Sequence, residues 1–296
     1  MPERERQHRS LTIGIALAIG AHVMWGVFPL YWRMLDSVPS VALTAHRIVW
    51  SFACLLLLSL IVPKIRRDAF RLPDRRTLVI HAVAAAMIAA NWLAFLYAVA
   101  TDRVLQASLG YYINPLVNVV LGVVFLGERL RPIRWSAVAV AAIGVTVMST
   151  TGKGVPWIAL TMASSFGVYG LMKKQAPRGA IAGLTLETGL LCPIALAYLL
   201  ARASPIDAAD VSPAIGALLV LGGLVTISPL VLFSVAAKRV PLSTLGILQF
   251  VGPTLQWIVG VVVFHEPIGA AQFWGFLFVW SGVVIFILSG SRAFRA

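Results

Sequence analysis

The sequence predicts an all-α integral membrane protein: ten transmembrane helices as a five-plus-five inverted repeat, with the N- and C-termini both on the cytoplasmic side. Three observations predict it. Apolar residues make up 59% of the 296 residues and charged residues only 12%, with a mean hydropathy of +0.90; a soluble domain carries about a quarter charged residues. The apolar residues run in ten stretches, each near or above the ~17–25 residues a helix needs to cross the hydrocarbon core. Residues 104–134, VLQASLGYYINPLVNVVLGVVFLGERLRPIR, return as PLSTLGILQFVGPTLQWIVGVVVFHEPIG at a constant offset of 138. Pro115 falls on Pro253, Gly122 on Gly260 and Glu128 on Glu266, and the register holds from Phe95/Phe233 to Gly144/Gly282.

Taken in order, the chain opens with a basic tail, 1–10. Its first apolar run continues through Trp25 to Tyr31, too long for a signal-peptide core, so the run is expected to be retained as the first span. The spans are expected at 11–32, 39–62, 78–100, 104–127, 133–151, 155–172, 180–201, 213–237, 242–264 and 269–290. They are continuously apolar rather than alternating, which favours helices over a barrel. Turn formers such as Pro39, Pro73, Gly152, Pro177, Pro205 and Pro241 punctuate the short connections. With the N-terminus inside, every Lys and Arg is cytoplasmic except Arg33, Arg103, Lys153 and Arg202 outside and Arg47 within a span. The net charge of +13 thus belongs to a membrane surface, and no nucleic-acid partner is expected. Five spans per unit is odd, so the second unit, 155–290, must lie inverted relative to the first, 11–151, with 291–296 a second cytoplasmic tail. The front of each unit also matches, with a three-residue shift: Trp25-Gly26 on Phe166-Gly167 and Leu43-Thr44 on Leu184-Thr185. Cys54 and Cys192 lie inside apolar runs and are expected to be buried small hydrophobes rather than a disulfide or a metal pair.

Polar residues inside spans carry the functional signal, because hydrocarbon penalises them unless they have a use or a partner. Tyr111, Pro115, Asn118 and Gly122 share one helix face, and Gln249, Pro253, Gln256 and Gly260 are their equivalents. Each proline frees a backbone carbonyl that a solute or water can use. The face lines a cavity, or its amides glue helices together. His22, Trp25, Gly26 and Pro29 form a second such face, with Gly26 and Pro29 suited to a kink or a close approach. Asn91 and Trp92, and opposite them Pro229 with Thr226 and Ser228, are expected to face the centre. Two ionisable sites lie within spans: Arg47, beside His46, and Glu187, which aligns with His46. Arg47 is expected to snorkel outward or meet carbonyls, and a direct Arg47–Glu187 pair is not expected, because their helices enter from opposite faces. Glu187 is the leading residue for proton coupling, with His46 and Arg47 beside it as candidates. Glu128 and Glu266 are expected to cap neighbouring helix N-termini or to hold loops through adjacent arginines. No zincin motif, Walker loop or other catalytic spacing occurs, so no enzyme, cofactor, metal or ATP hydrolysis is expected.

The unit ending in LGERL resembles the EamA module of the drug/metabolite transporter superfamily. Gly26-Val27-Phe28-Pro29, Thr44-Ala45-His46-Arg47-Ile48-Val49-Trp50-Ser51 and Gln106 through Asn118 (QASLGYYINPLVN) resemble its RarD branch, which is related to YddG-type amino-acid exporters. The second copy departs, reading FHEP where the first reads LGER. The resemblance implies an inner-membrane exporter of small metabolites or drugs, working by alternating access around a central cavity lined by spans one, three, four, six, eight and nine. Within that frame, Trp25, Trp92, Tyr111, Tyr112 and Phe250 would supply aromatic walls. His22, Asn91, Asn114, Asn118, Gln249 and Gln256 would hold the polar ends of a neutral or aromatic amino acid. Gly26, Pro29, Pro115, Pro229 and Pro253 would serve kinks or gates. Chloramphenicol-like drug efflux and a non-transporting scaffold are the alternatives. The expected partners are a small-molecule substrate and the lipid bilayer; no ATPase subunit is implied, and a monomer suffices.

Overall fold

The computed structural model describes residues 3–101, 103–149, 157–202, 212–265 and 269–291. Among these residues it is all helical: α1 (Glu3–Trp32), α2 (Ser40–Ile61), α3 (Pro63–Ala69), α4 (Arg75–Ala100), α5 (Val104–Leu126), α6 (Pro132–Ser149), α7 (Trp157–Gln175), α8 (Ala180–Arg202), α9 (Pro213–Ala237), α10 (Leu242–Leu248), α11 (Val251–Val262) and α12 (Ala270–Ser291). Nine helical stretches among the described residues are long and apolar enough to cross a membrane, with α10 and α11 forming one of them. The 19-residue α7 falls outside that set, since Lys173 and Lys174 in its last turn lower its hydropathy. The expected span at 155–172 thus stops short of a helix that runs on to Gln175. The short α3 lies in the connection between the expected spans 39–62 and 78–100; Pro63 starts it at the position where a missing N–H costs nothing.

Small residues set the helix spacing, as bilayer packing requires where no solvent drives association. α6 and α12 run antiparallel: Gly144 sits against Gly275 and Val279, while Gly282 sits against Ala137 and Ala141. A Cβ on Gly144 or on Gly282 would lie 2.6 Å from a carbonyl oxygen of the facing helix. α2 and α8 also pair antiparallel, Ser59 meeting Thr185 at 3.1 Å and Phe52 meeting Gly189. In the middle, α1 packs on α9 and α11, α7 on α4 and α5, and α5 on α10. The contacts correspond by register: Gly26 of α1 abuts Leu255 of α11, and Gly167 of α7 abuts Val117 of α5. Trp25 and Phe166, matched in the repeat, meet edge to face with centroids 5.6 Å apart.

One end of the bundle is stitched by charge-assisted hydrogen bonds to backbone. Glu128 accepts from Leu242 N at 2.5 Å and Ser243 N at 2.9 Å, capping α10 as the sequence suggested; Glu266 lies outside the described residues. Gly127, left-handed at φ 64°, turns the chain out of α5 to deliver that carboxylate. Lys174 donates to the carbonyls of Ala237 (3.2 Å) and Val240 (2.6 Å). Arg178 donates to Ala69 O at 2.9 Å and to Arg71 O, Lys238 donates to Arg178 O, and Asp68 accepts from Gly179 N at 2.8 Å. Desolvation, with Lys173 nearby, pushes the Lys238 ammonium below its ordinary value.

Candidate functional site

Four clusters of polar and aromatic residues occupy the interior. The first is an aromatic layer where α1, α7 and α9 meet. His22 lies edge-on to Trp25 at 5.1 Å, Trp25 and Phe166 each approach Phe233 within 6 Å, and Tyr169 stacks on Phe233 at 6.1 Å. His22 Nδ1 sits 2.6 Å from the carbonyl of Ala18. A carbonyl only accepts, so Nδ1 carries the proton and Nε2 is left as an acceptor, buried and without a partner.

The second cluster is an amide relay. Asn118 Nδ2 donates to Asn114 Oδ1 at 3.2 Å on its own helix and to Gln249 Oε1 at 2.7 Å across to the other half. Asn118 Oδ1 and Gln249 Nε2 remain buried and unpartnered. Gln249 stands where the ninth span breaks: α10 ends at Leu248 and α11 begins at Val251. Pro253 cannot donate to the Gln249 carbonyl, which accepts from Gly252 N instead, so the helix tightens at the break. The apolar run predicts one span over 242–264, because a break of two residues leaves no mark on hydropathy. Gly246 makes the crossing possible: a Cβ there would lie 2.6 Å from Pro115 O.

The third cluster surrounds Arg47, and it corrects the expectation that this side chain snorkels outward. Its Nε donates to Thr226 Oγ1 of α9 at 3.1 Å, and its guanidinium lies 4.6 Å from the ring of Trp32 and 5.2 Å from that of Trp92. Two indole faces and a hydroxyl hold the cation inside the bundle. The fourth cluster is a buried ionic triad. Glu187 Oε1 lies 2.7 Å from His81 Nδ1 and 2.8 Å from Lys173 Nζ, while Oε2 has no partner. Arg47 and Glu187 are indeed not paired. Lys173, counted from sequence as a cytoplasmic charge, is 1% exposed, because its long stem reaches inward to the carboxylate. His81 and Lys173 escaped the sequence reading. The missed signal was the lone acid itself, which demands a partner within a turn or two of the same helix ends.

Other expected residues fall elsewhere. Asn91 donates to Met162 O at 2.8 Å and to Ser165 Oγ at 3.4 Å, joining α4 to α7. Gln256 donates to the carbonyl of Trp25 at 3.0 Å, so its amide acts between helices. Tyr112 and Phe250 do not join the aromatic layer but pack in a separate core cluster toward α6 and α12, with Tyr112 edge-on to Phe276 and its hydroxyl donating to Pro253 O at 3.0 Å. Tyr111 is partly buried on α5, Pro229 is buried in α9, and Pro29 and Pro115 lie inside helices without interrupting them. His46 is half-buried on α2. Cys54 and Cys192 are free and partly buried. Among the described residues no three His, Cys, Asp or Glu side chains cluster to hold a metal.

Comparison with known proteins accords with this architecture. The model of the EamA-like transporter family matches residues 12–150. The chain is 40% identical to the uncharacterized transporter YojE of Bacillus subtilis over 293 residues, 98% of each chain. It is 40% identical to protein RarD of Escherichia coli over 277 residues, 93% of this chain and 94% of that protein. The chloramphenicol-sensitive protein RarD of Pseudomonas aeruginosa is 29% identical over 286 residues, 95% of this chain and 96% of that one. A solved crystal structure shares the fold, with a TM-score of 0.71 at 19% identity over 94% of this chain and 98% of the other. The chain is therefore a multi-pass membrane protein of the EamA-like transporter family, with the RarD proteins among its relatives.

Proposed function

We propose that the protein is an inner-membrane carrier that exports small amphipathic solutes, most fittingly neutral and aromatic amino acids. Two inverted halves of five spans, 11–151 and 155–290, rock about a central site and open it to one side at a time. The symmetric glycine contacts, the antiparallel α6–α12 and α2–α8 pairs and the matched Trp25–Phe166 contact support the inverted halves. The loops gathered around Glu128, Lys174 and Arg178 carry the basic residues assigned inside, which supports cytoplasmic termini.

The observation that carries the function is the amide relay at the broken ninth span. A buried acceptor, Asn118 Oδ1, and a buried donor, Gln249 Nε2, stand unmet beside a helix break, and such breaks serve solute sites at the midplane of carriers. Buried polar groups without partners are costly, about 1–3 kcal/mol each, and a solute that meets them recovers that cost. With His22 Nε2 a second unmet acceptor, the set suits an ammonium and a carboxylate, while Trp25, Phe166 and Phe233 receive an apolar side chain. Glu187, in its triad, is the residue that would carry a coupled proton.

A drug-export reading draws on one observation: the aromatic layer also suits an uncharged aromatic amide, and a relative is named for chloramphenicol sensitivity. Counterflow separates the two. Proteoliposomes preloaded with unlabelled neutral amino acids should accumulate labelled phenylalanine, and an unlabelled competitor should abolish the uptake. Flux of labelled chloramphenicol alone would move the substrate class to drugs. Silence with both, in folded protein, would end the carrier reading.

A further inference from the structure

Arg47 is a cation inside the bundle that forms no ion pair among the described residues. A guanidinium has five N–H donors in a planar fork. Here one is used, Nε toward Thr226 Oγ1. The rings of Trp32 and Trp92 orient the plane but accept no full hydrogen bond from it, so the Nη1 and Nη2 donors stay available. The groups around it come from α1, α4 and α9, and Tyr111 of α5 lies within electrostatic reach. These are central helices from both halves, so the fork belongs to the interior and not to the lipid face.

The repeat sharpens the point. The offset that pairs Trp25 with Phe166 also pairs Trp32 with Lys173 and His46, the neighbour of Arg47, with Glu187. One junction of three helices (α4, α7 and α8) holds a carboxylate with its cation, Glu187 and Lys173. The related junction (α9, α1 and α2) holds a cation and lacks the carboxylate. The Arg47 side chain is half-buried, and a guanidinium partly withdrawn from water gains where an anion arrives to complete it.

We infer that Arg47, framed by Trp32, Trp92 and Thr226, is a carboxylate-binding site for the transported solute. It binds through the paired Nη donors, in the bidentate manner that guanidinium and carboxylate share. Tyr111 and Asn118 are seven residues apart on α5, so this fork lies about 10 Å along the bundle from the amide relay. It is a second station for the carboxylate, at the end of the bundle away from Glu128. The inference rests on the carrier reading only for the route by which the solute arrives, and it makes a carboxylate part of the substrate definition.

The test uses the whole purified protein in detergent micelles, followed by intrinsic tryptophan fluorescence and thermal stability. The probes are L-phenylalanine, 3-phenylpropionate, which keeps the carboxylate alone, and L-phenylalaninamide, which keeps the ammonium alone. Both acids should perturb the signal and raise the unfolding temperature, and the amide, which keeps the ammonium and the ring but not the carboxylate, should do so less. Arg47→Gln should weaken acid binding by about tenfold or more, and Arg47→Lys should restore part of it. If Arg47→Gln does not fold, Thr226→Val and Trp92→Leu should each lower acid affinity while leaving the amide as it was. Amide binding equal to acid binding, an acid preference that survives Arg47→Gln or both substitutes, or no response to either acid would overturn the inference. A response to phosphatidylglycerol with none to 3-phenylpropionate would assign the fork to lipid phosphate and equally overturn it. Counterflow keeps the two ideas apart. Exchange without preference for acids leaves a carrier and removes the fork; Arg47-dependent acid binding without exchange of any solute leaves the fork and removes the carrier.

Discussion

Glu187 shows how a single side chain ties three helices. One of its oxygens meets both His81 of α4 and Lys173 of α7, and the triad is almost wholly buried. Removing one member of a buried ion pair leaves the other uncompensated, at a cost of about 3–5 kcal/mol. Glu187→Gln should therefore lower thermal stability sharply. Glu187→Leu combined with Lys173→Met should regain part of the loss, because two apolar side chains replace two charges while His81 Nδ1 still loses its acceptor. Unfolding curves in detergent check this, and a double variant no more stable than the single one would deny the pairing. Sequence singled out Glu187 as the acid inside a span yet missed its partners, for a physical reason. Hydropathy ends a span at its first charge, whereas a lysine at a helix end can turn its stem inward. Arg47 was misjudged in the converse direction. Snorkelling is the default for a cation near a helix end, and nothing local in the sequence reports that Trp32, Trp92 and Thr226 converge on it.

At the level of elements, helix positions were legible and helix interruptions were not. Apolar runs long enough to span mark nine stretches, eight within a few residues of their ends, since composition alone sets that signal. The first helix begins at Glu3, inside the segment 1–10 expected as a tail, because charged residues continue a helix that hydropathy does not register. The break at Gln249–Phe250 changes no composition, and Pro253 gives no unique sign of it, because Pro115 sits in an unbroken α5. The short α10 depends on its cap. Glu128→Ala deletes both acceptors for the amides of Leu242 and Ser243 and should cost about 1–2 kcal/mol, read as a lower unfolding temperature. An unchanged temperature would mean that water serves those amides equally well. The start of α4 responds to acid in a defined direction. Hydrogen bonds from Thr77 hold the Asp74 carboxyl below its ordinary value of 3.8. Its contribution is thus present above pH 3.8 and is lost as pH falls through the lowered folded-state value. Asp74→Ala should lower stability at neutral pH and converge with wild type in strong acid. Parallel curves across that range would contradict the cap.

Across the whole molecule, contacts repeat between the halves. Gly26 on Leu255 matches Gly167 on Val117, and the Gly144 and Gly282 contacts exchange across α6 and α12. Sequence carried this symmetry as an offset. It could not carry the assembly of sites, because each cluster takes residues from both halves. If the halves rock against each other, bulk at equivalent contacts should hinder exchange alike: Gly26→Leu and Gly167→Leu should reduce counterflow to a similar degree. Arrest by one with normal flux in the other would argue against symmetric rocking. The amide relay offers the most direct test of a central carrier site. Replacing one amide strands its partners and destabilises the fold, whereas replacing all three with apolar groups of similar shape is nearly neutral. Phenylalanine counterflow should therefore be measured on Asn114→Leu, Asn118→Leu and Gln249→Met combined, in proteoliposomes matched to wild type for folded protein. A solute site at the relay predicts near wild-type unfolding temperature with exchange abolished; exchange at the wild-type rate would show that the solute passes elsewhere.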